Sequence, residues 1–398
     1  MSDRVGVVWD DALVGYDFGP GHPMAPVRVQ LAMRLAAELG LFAADNVEVL
    51  TPVVPATREE IERVHTAEYV TAVVAASSQP SLVDPAHGLG SADVPVFAHM
   101  HAESARVAGA TLAGAKAIHA GGFDHVVSLA GGLHHAMPGA AEGFCVYNDL
   151  GVAIQWLLDQ GYERIAYVDV DVHHGDGVQA MFWDDPRVVT ISLHESPKTL
   201  FPGSGYPHEC GGPNAPGTAV NVAIPAGTGD QGWLRAFAAV VPDVLAAFEP
   251  QILVTQQGTD AHLQDPLAHL TMSIDGQRMS YELLHRWAHR YAGGRWLAVG
   301  GGGYAWVEVV PRAWAHLIAE ITGHPVDPST MVPQEYCTYV QESLGRSSPG
   351  RMTDGHTPWA RPFDNGFDPD DPLDQAVIAT RRAVFPHWGL VVEPTDWF

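Results

Sequence analysis

The feature that most constrains this chain is a short segment in which acidic and imidazole side chains crowd together behind an apolar run. Three carboxylates and two imidazoles lie within eight residues, at Asp169, Asp171, His173, His174 and Asp176. Burying such a cluster is costly unless a cation compensates it, because desolvated carboxylates repel one another. Oxygen and nitrogen donors together favour a divalent transition metal over calcium or magnesium. The segment therefore predicts a buried strand that ends at a metal site.

Short β-rich runs alternate with longer amphipathic stretches along most of the chain. The predicted strands are 5–9, 47–50, 125–130, 164–171, 188–194, 219–224, 252–257 and 295–299. The predicted helices are 27–39, 66–76, 103–119, 149–159, 230–248, 276–292, 309–321 and 371–384. Alternation of this kind predicts βαβ units, and hence an α/β fold with a parallel sheet covered by helices on both faces.

Polar and glycine-rich motifs follow four of these predicted strands. They are Gly131-Gly132-Leu133-His134-His135, the stretch from Asp171 to Asp176, Gly258-Thr259-Asp260, and Gly300-Gly301-Gly302-Gly303-Tyr304. Ligands of parallel sheets bind beyond the carboxyl ends of the strands. The order of strands and motifs therefore predicts one active site built from four strand ends.

Three of these residues form a candidate metal site. If the strand over 164–171 stays extended to its end, alternation places Asp169, Asp171 and His173 on one face. Asp171 and His173 can supply two ligands, and Asp260, after another strand, is the natural third. Three protein ligands leave a position open, which is typical of a catalytic metal. Considered alone, Asp260 is better interpreted as the cap of a following helix or turn, because Asp is a common residue at such positions.

Other residues are candidates for proton transfer and substrate contact. The His134-His135 pair suits proton transfer near neutral pH, although many of the 21 histidines are incidental. Tyr304, after four glycines, can donate a hydrogen bond to an oxyanion, or it packs as a core aromatic. Phe144 and Phe201 can wall an apolar slot for the stem of a lysine, or they belong to the core.

Composition excludes several other classes of protein. The net charge of −25, with only 21 Lys and Arg, argues against a nucleic-acid partner. Three isolated cysteines predict neither a disulfide framework nor a Cys-x-x-Cys zinc site, and they fit a reducing cytoplasm. The sequence shows neither a signal-peptide pattern nor a run of transmembrane length, so we expect a cytoplasmic protein without a membrane partner.

The motifs together resemble the zinc-dependent histone deacetylase superfamily. The resemblance rests on Gly131 to Ala136, Gly143 to Asp149, Asp169 to Gly177, Ser192 to His194, Gly258 to Asp260 with Asp265-Pro266, and Gly300 to Tyr304. Within it, the segments Tyr16 to Met24 and Asp265 to Leu270 look like those of bacterial acetoin-utilisation deacetylases. The resemblance implies the arginase-deacetylase fold, three α/β/α layers around a mainly parallel eight-stranded sheet.

The same resemblance implies a function, a cofactor and a role for each residue. The reaction would be hydrolysis of N-ε-acetyl-lysine to lysine and acetate. Zn²⁺, or alternatively Fe²⁺, would be held by Asp171, His173 and Asp260. His134 and His135 would be the catalytic imidazoles, oriented by Asp169 and Asp176 respectively, and Tyr304 would stabilise the oxyanion. The substrate-binding residues would be Asp93, Gly143, Phe144, Leu200, Phe201, Leu267 and, in an internal acetate-exit region, Arg28. A structural K⁺ or Na⁺ would be bound, largely through backbone oxygens, by Asp169, Asp171, His173, Ser192 and Leu193.

The chain divides at about residue 325 in this interpretation. Residues 1–325 form the catalytic domain, and residues 326–398, rich in Pro, Asp and Gly, form an extension packed on the core or trailing from it.

The expected partner is an acetylated protein, such as the metabolic enzyme acetyl-CoA synthetase. Three alternatives remain open: an acetylpolyamine amidohydrolase, a binuclear manganese ureohydrolase and an inactive acyl-group sensor. Leu267 disfavours the first, because polyamine-preferring members tend to have an acidic residue at that position.

Overall fold

A single parallel sheet forms the centre of the molecule, whose computed structural model describes residues 3–393. The strands are β1 (Val5–Val8), β2 (Val47–Leu50), β3 (His125–Ser128), β4 (Ile165–Asp169), β5 (Val188–Glu195), β6 (Ala219–Ile224), β7 (Ile252–Gln256) and β8 (Trp296–Val299). Their order across the sheet is β2-β1-β3-β8-β7-β4-β5-β6, and each neighbouring pair is parallel.

Helices cover both faces of the sheet. They are α1 (Val27–Glu38), α2 (Arg58–Ile61), α3 (Ala67–Ser77), α4 (Met100–His119), α5 (Asp149–Asp159), α6 (Asp176–Met181), α7 (Asp230–Phe248), α8 (Ile274–Tyr291), α9 (Val310–Ile321), α10 (Gln334–Leu344) and α11 (Pro372–Val384). Side chains of β4 alternate between the two apolar layers: Ala166 and Val168 pack on one side, and Ile165 and Tyr167 on the other. The predicted three-layer architecture is confirmed.

The strand order explains why the four predicted motifs meet. The motifs follow β3, β4, β7 and β8, and these are the four consecutive central strands, in the order β3-β8-β7-β4. Because all strands point the same way, their carboxyl ends lie side by side at one edge of the sheet. One crevice therefore receives residues that are far apart in the sequence.

Several element boundaries differ from the predicted ones. The strand predicted over 164–171 ends at Asp169, because the carboxylate of Asp169 accepts the backbone N–H of Asp171 at 3.1 Å and turns the chain. The helix predicted over 103–119 begins at Met100. Helix α10 has no counterpart in the prediction, since only Tyr336 and Val340 of this helix are buried.

The described part of the C-terminal extension, residues 326–393, packs on the core. Helix α10 contributes Tyr336 and Val340 to an apolar cluster with residues of α1. Helix α11 lies against β6 and α7, where Asp374 forms a buried ion pair with Arg235 at 2.7 Å. Residues 394–398 of the predicted extension lie outside the described residues, and the division at residue 325 stays a prediction. Among residues 3–393, no helix has both the length and the apolar character required to cross a membrane.

Candidate active site

The three predicted metal ligands meet beyond β4 and β7. Nδ1 of His173 lies 3.1 Å from Oδ1 of Asp171 and 3.2 Å from Oδ2 of Asp260. One ligand atom from each residue falls within 4.8 Å of the others, and all three residues are buried. The carboxylates are held by backbone donors: Val172 N–H donates to Asp260 at 3.0 Å, and Gly302 N–H donates to Asp171 at 2.8 Å. Asp260 is therefore a member of this group and not a helix cap.

The buried carboxylates of Asp171 and Asp260 are stabilised by a nearby positive charge. Burial and the negative charge of Asp171 raise the pKa of Asp260 to about 7. Burial alone would lower the pKa of His173, but Asp171 and Asp260 outweigh it and raise that pKa to about 10. Two carboxylates that face one imidazole without solvent are the donor set of a divalent cation, which would supply the missing charge. The residues present fit a metal ion.

The two predicted catalytic histidines are each fixed by a carboxylate. Nδ1 of His134 lies 2.7 Å from Asp169, and Nδ1 of His135 lies 2.7 Å from Asp176, as the resemblance implies. Burial lowers the pKa of His134, but Asp169 and Asp171 outweigh it and raise it to about 9. Burial and the adjacent His134 lower the pKa of His135. The pair therefore favours a charged His134 beside a neutral His135, with their Nε2 atoms 3.1 Å apart.

Tyr304 stands on a glycine loop that is held from two sides. Asp265 accepts the backbone N–H of Tyr304 at 2.8 Å. The guanidinium of Arg28 donates to the carbonyls of Gly301 and Gly303 at 2.9 and 3.1 Å. Gly302 must be glycine, because a Cβ there would collide with the Asp260 carboxylate. The loop thus presents Tyr304 next to the metal ligands, as the run of glycines predicts.

A cavity of about 280 Å³ opens over these groups. Its lining consists of Asp93, His135, Gly143, Phe144, His173, Leu200, Phe201, Leu267 and Tyr304. Phe201 is 42% exposed, whereas His135 and His173 are only 4% and 8% exposed, so the aromatic side chain marks the mouth and the imidazoles mark the floor. The Phe144 ring lies edge-on to Tyr304 at 5.7 Å, and the Phe201 ring lies edge-on to His135 at 5.0 Å.

Most predicted substrate-binding residues therefore line one cavity. Asp93 is half-buried there, and its carboxylate accepts the backbone N–H of Gly143 at 2.8 Å. Arg28 is the exception, because it lies behind Tyr304 beside a second, very small cavity of about 20 Å³. This position is the one expected for the internal region, although the role of Arg28 stays a prediction.

The predicted monovalent-cation residues also come together. Asp169 on β4 is paired in register with Ser192 on β5, and Leu193 follows on the same strand. Asp171 and His173 lie in the loop directly after β4. Both Ser192 and Leu193 are buried. The juxtaposition fits the prediction, and the binding of K⁺ or Na⁺ stays a prediction.

Sequence reasoning missed several positioning residues. The buried carboxylate of Asp149 accepts the backbone N–H groups of Gly132 and Leu133, which fixes the loop that carries both histidines. Gln256 donates to Asp171 at 2.6 Å, and the Tyr167 hydroxyl donates to Asp169 at 2.5 Å. Asp149 ends the motif from Gly143 to Asp149, and Gln256 lies in the predicted strand over 252–257, but neither position signals which distant group it will contact.

Comparison with known proteins agrees with this geometry. The histone deacetylase domain matches residues 22–321. The acetoin utilization protein AcuC of Bacillus subtilis (strain 168) is 40% identical over 356 residues, which cover 89% of this chain and 90% of that protein. AcuC of Staphylococcus xylosus is 34% identical over 356 residues, with 89% and 91% covered.

Solved structures give the same result. The crystal structure of an HDAC homolog from Aquifex aeolicus matches with a TM-score of 0.80 at 26% identity, covering 95% of this chain and 100% of that chain. A structure of an HDAC homolog complexed with SAHA matches equally well. The predicted arginase-deacetylase fold is confirmed. The chain belongs to the histone deacetylase family and is a deacetylase-type hydrolase.

Proposed function

We propose that this protein hydrolyses N-ε-acetyl-lysine side chains in proteins to lysine and acetate, with Zn²⁺ as its cofactor. The observation that carries the proposal is the cavity in which His135, His173 and Tyr304 border the same space. Phe144 and Phe201 line the same cavity. A slot with aromatic walls and a polar floor suits a long aliphatic stem that ends in a neutral amide.

Asp171, His173 and Asp260 would hold the metal. A divalent cation held by these residues would supply Lewis-acid chemistry, which polarises an acetyl carbonyl and lowers the pKa of a water molecule. Two oxygen donors and one nitrogen donor suit both Zn²⁺ and Fe²⁺, and three protein ligands with an open position are typical of catalytic zinc sites.

His135 is the group that moves the proton. It borders the cavity, and Asp176 occupies its Nδ1, so its Nε2 is the atom that can act as a base. A neutral His135 removes a proton from the attacking water and later delivers it to the nitrogen of the lysine as the C–N bond breaks. His134 does not line the cavity, and its positive charge stabilises the negative charge that develops nearby.

Tyr304 stabilises the acetyl oxygen as that oxygen becomes negative. Burial, and then the negative charge of Asp260, raise the pKa of Tyr304 well above its usual range. The hydroxyl therefore keeps its proton and can donate a hydrogen bond throughout the reaction. The water oxygen leaves in acetate, and the amine leaves as lysine.

The residues at the mouth favour a protein substrate over an acetylpolyamine. Leu267 is half-buried at the rim, where a polyamine-preferring site would place an acidic side chain for the distal ammonium. Asp93 favours a polyamine, because it brings a carboxylate to the cavity that can pair with an ammonium group. That carboxylate already accepts the Gly143 N–H, and in the protein-substrate proposal its remaining acceptor capacity binds the peptide backbone beside the acetyl-lysine.

A metal-reconstitution assay tests the proposal. Metal-depleted protein is loaded separately with Zn²⁺, Fe²⁺ and Mn²⁺, and kcat/KM is measured on an acetyl-lysine peptide, acetylputrescine and acetylspermidine. We expect the zinc enzyme to prefer the peptide. A strong preference for the acetylpolyamines would overturn the substrate assignment, and the absence of acetate release with every metal would overturn the catalytic one.

The mouth itself can be tested with a matched pair of variants. Leu267→Glu adds a negative charge at the rim, and Leu267→Gln adds the same bulk without the charge. We expect Leu267→Glu to shift the kcat/KM ratio toward acetylpolyamines by roughly fivefold, the equivalent of one exposed ion pair of about 1 kcal/mol. An equal ratio in the two variants would show that charge at residue 267 does not select the substrate.

The protein partner we propose is an acetylated metabolic enzyme, of which acetyl-CoA synthetase is the first candidate. The chain's net charge of −25 favours an acetyl-lysine that lies in a basic segment. Quantifying acetylation of purified acetylated synthetase before and after incubation tests this choice, and unchanged acetylation would exclude that partner.

A further inference from the structure

A second group of metal-ligating side chains lies at the opposite, amino end of the sheet. His125 is the first residue of β3, Asp3 precedes β1, and His285 and His289 lie one turn apart on α8. Ligand atoms of these four residues all fall within 4.8 Å of one another. The active-site motifs follow the carboxyl ends of the strands, so this group is separate from them.

Three distances within this amino-end group are close to those of a tetrahedral site. Nε2 of His289 lies 3.2 Å from Nε2 of His285 and 3.4 Å from Oδ2 of Asp3. Nε2 of His125 lies 3.6 Å from the same Asp3 oxygen. Ligands bound about 2.0–2.1 Å from a tetrahedral zinc ion lie roughly 3.3–3.4 Å from one another. The three measured distances are close to this spacing, and the other pairs lie within 4.8 Å, so small side-chain rotations would let the four residues share one ion.

An unsatisfied side chain points to a ligand at this position. His125 has no exposed surface, and among residues 3–393 neither of its ring nitrogens has a hydrogen-bond partner. Buried polar atoms in folded proteins are almost always partnered, because leaving one unpaired is costly. A metal ion among the four residues would satisfy Nε2 of His125.

Neighbouring side chains orient His285 as a ligand. Its Nδ1 lies 3.3 Å from Glu320, so the N–H at that atom faces a carboxylate and Nε2 is left for a metal. The ring also stacks on Trp296 at 5.7 Å, which restricts its rotation. Simple aromatic packing around Trp296 would not require His125 and His289 to direct their Nε2 atoms toward the Asp3 carboxylate, or Nε2 of His285 to face that of His289.

We propose that Asp3, His125, His285 and His289 bind a structural Zn²⁺ ion. Three imidazoles and one carboxylate suit zinc, and histidines four residues apart on a helix are a common pair of zinc ligands. Four protein ligands fill the coordination shell and leave no open position for a substrate. The ion connects the segment before β1, the start of β3 and the last turns of α8, and it does not depend on the activity proposed above.

Metal stoichiometry tests the proposal. Protein without an affinity tag is stripped with a chelator, exposed to Zn²⁺ at low free concentration, and analysed for bound zinc by mass spectrometry. Asp260→Ala, or His173→Ala should the first fold poorly, removes the active-site metal. We expect about two zinc ions in the unaltered chain, about one in Asp260→Ala, and none when His285→Gln and His289→Gln are added, in line with one ion per site.

A matched control separates this site from general histidine binding. His119→Gln changes an exposed histidine in the last turn of α4, as His289→Gln does in α8, and it should keep the zinc ion of the Asp260→Ala protein. Absence of zinc from Asp260→Ala, with its fold intact, would overturn the proposal. So would zinc that persists when His285 and His289 are both replaced.

Thermal unfolding gives an independent readout. In the Asp260→Ala background, added Zn²⁺ should raise Tm by several degrees, because a ligand that binds only the folded state stabilises it. His289→Gln alters a partly exposed side chain, so the protein should still fold, but the zinc-dependent rise should disappear. The same rise with and without His289 would contradict the assignment.

Discussion

The two ends of the sheet carry the same types of ligand but organise them differently. At the carboxyl end, Asp171 and Asp260 receive hydrogen bonds from backbone N–H groups, and the group borders a cavity through His173. At the amino end, ligand atoms of three imidazoles and of Asp3, whose side chain is 37% exposed, lie within 4.8 Å of one another. Three ligands beside a cavity leave room for a substrate, whereas four ligands close around an ion. The number of ligands and the open side distinguish a catalytic group from a structural one.

The largest expected effect comes from breaking the carboxyl-end group alone. Asp260→Ala or His173→Ala should lower kcat/KM on an acetyl-lysine peptide by about 10³-fold or more, because the metal's several kcal/mol of charge stabilisation is lost. Zinc analysis should show that one ion is lost and the amino-end ion is retained. Full zinc content in these variants would show that the ligands are wrongly assigned.

The next largest effect is expected from a substitution that removes one hydrogen bond and leaves every metal ligand in place. Tyr304→Phe should lower kcat by about 10²- to 10³-fold, the usual loss when one oxyanion donor is removed. Its zinc content should equal that of the unaltered chain. Full activity in this variant would contradict the role of Tyr304.

A smaller effect is expected from a residue that acts through His135. Asp176→Asn keeps the shape of the side chain but removes the charge that orients the imidazole, and we expect a loss of roughly 10- to 100-fold in kcat/KM. Binding of a substrate-analogue inhibitor should change much less than kcat. Equal losses in inhibitor affinity and in turnover would indicate damage to the cavity itself.

The smallest effect on activity is expected at the amino end. His285→Gln should leave kcat/KM unchanged at 25 °C, because the residue contacts neither the cavity nor the carboxyl-end ligands, but it should lower Tm in zinc-containing buffer. Activity and Tm are measured on the same preparations. A large loss of kcat with unchanged Tm would remove the functional distinction between the two ends.

Much of the fold followed from the sequence because the site is built on strand ends. The motifs after β3, β4, β7 and β8 each follow an apolar run, and parallel pairing brings such ends together without further information. Less local features escaped prediction. Strand β4 stops two residues early, because Asp169 turns the chain by accepting a backbone N–H, and no periodicity records such a bond.

The amino-end group shows why other features could not be predicted. Asp3, His125 and the two histidines of α8 come from three separate parts of the chain, and no motif links them. Only the four-residue spacing of His285 and His289 is visible in the sequence, where it is equally compatible with a solvent-exposed helix face. Helix α10 was missed for a related reason, since its few buried residues give a weak pattern.

The Asp265 carboxylate bridges two functions of the cavity. One oxygen accepts the N–H of Leu267 at the rim, and the other accepts the N–H of Tyr304 beside the metal ligands. In the proposed function, this single carboxylate would link the residue that selects the substrate to the residue that stabilises the oxyanion. The effects of substitutions at residues 267 and 304 on kcat/KM should therefore be non-additive. A change in substrate preference through residue 267 should also change the turnover rate.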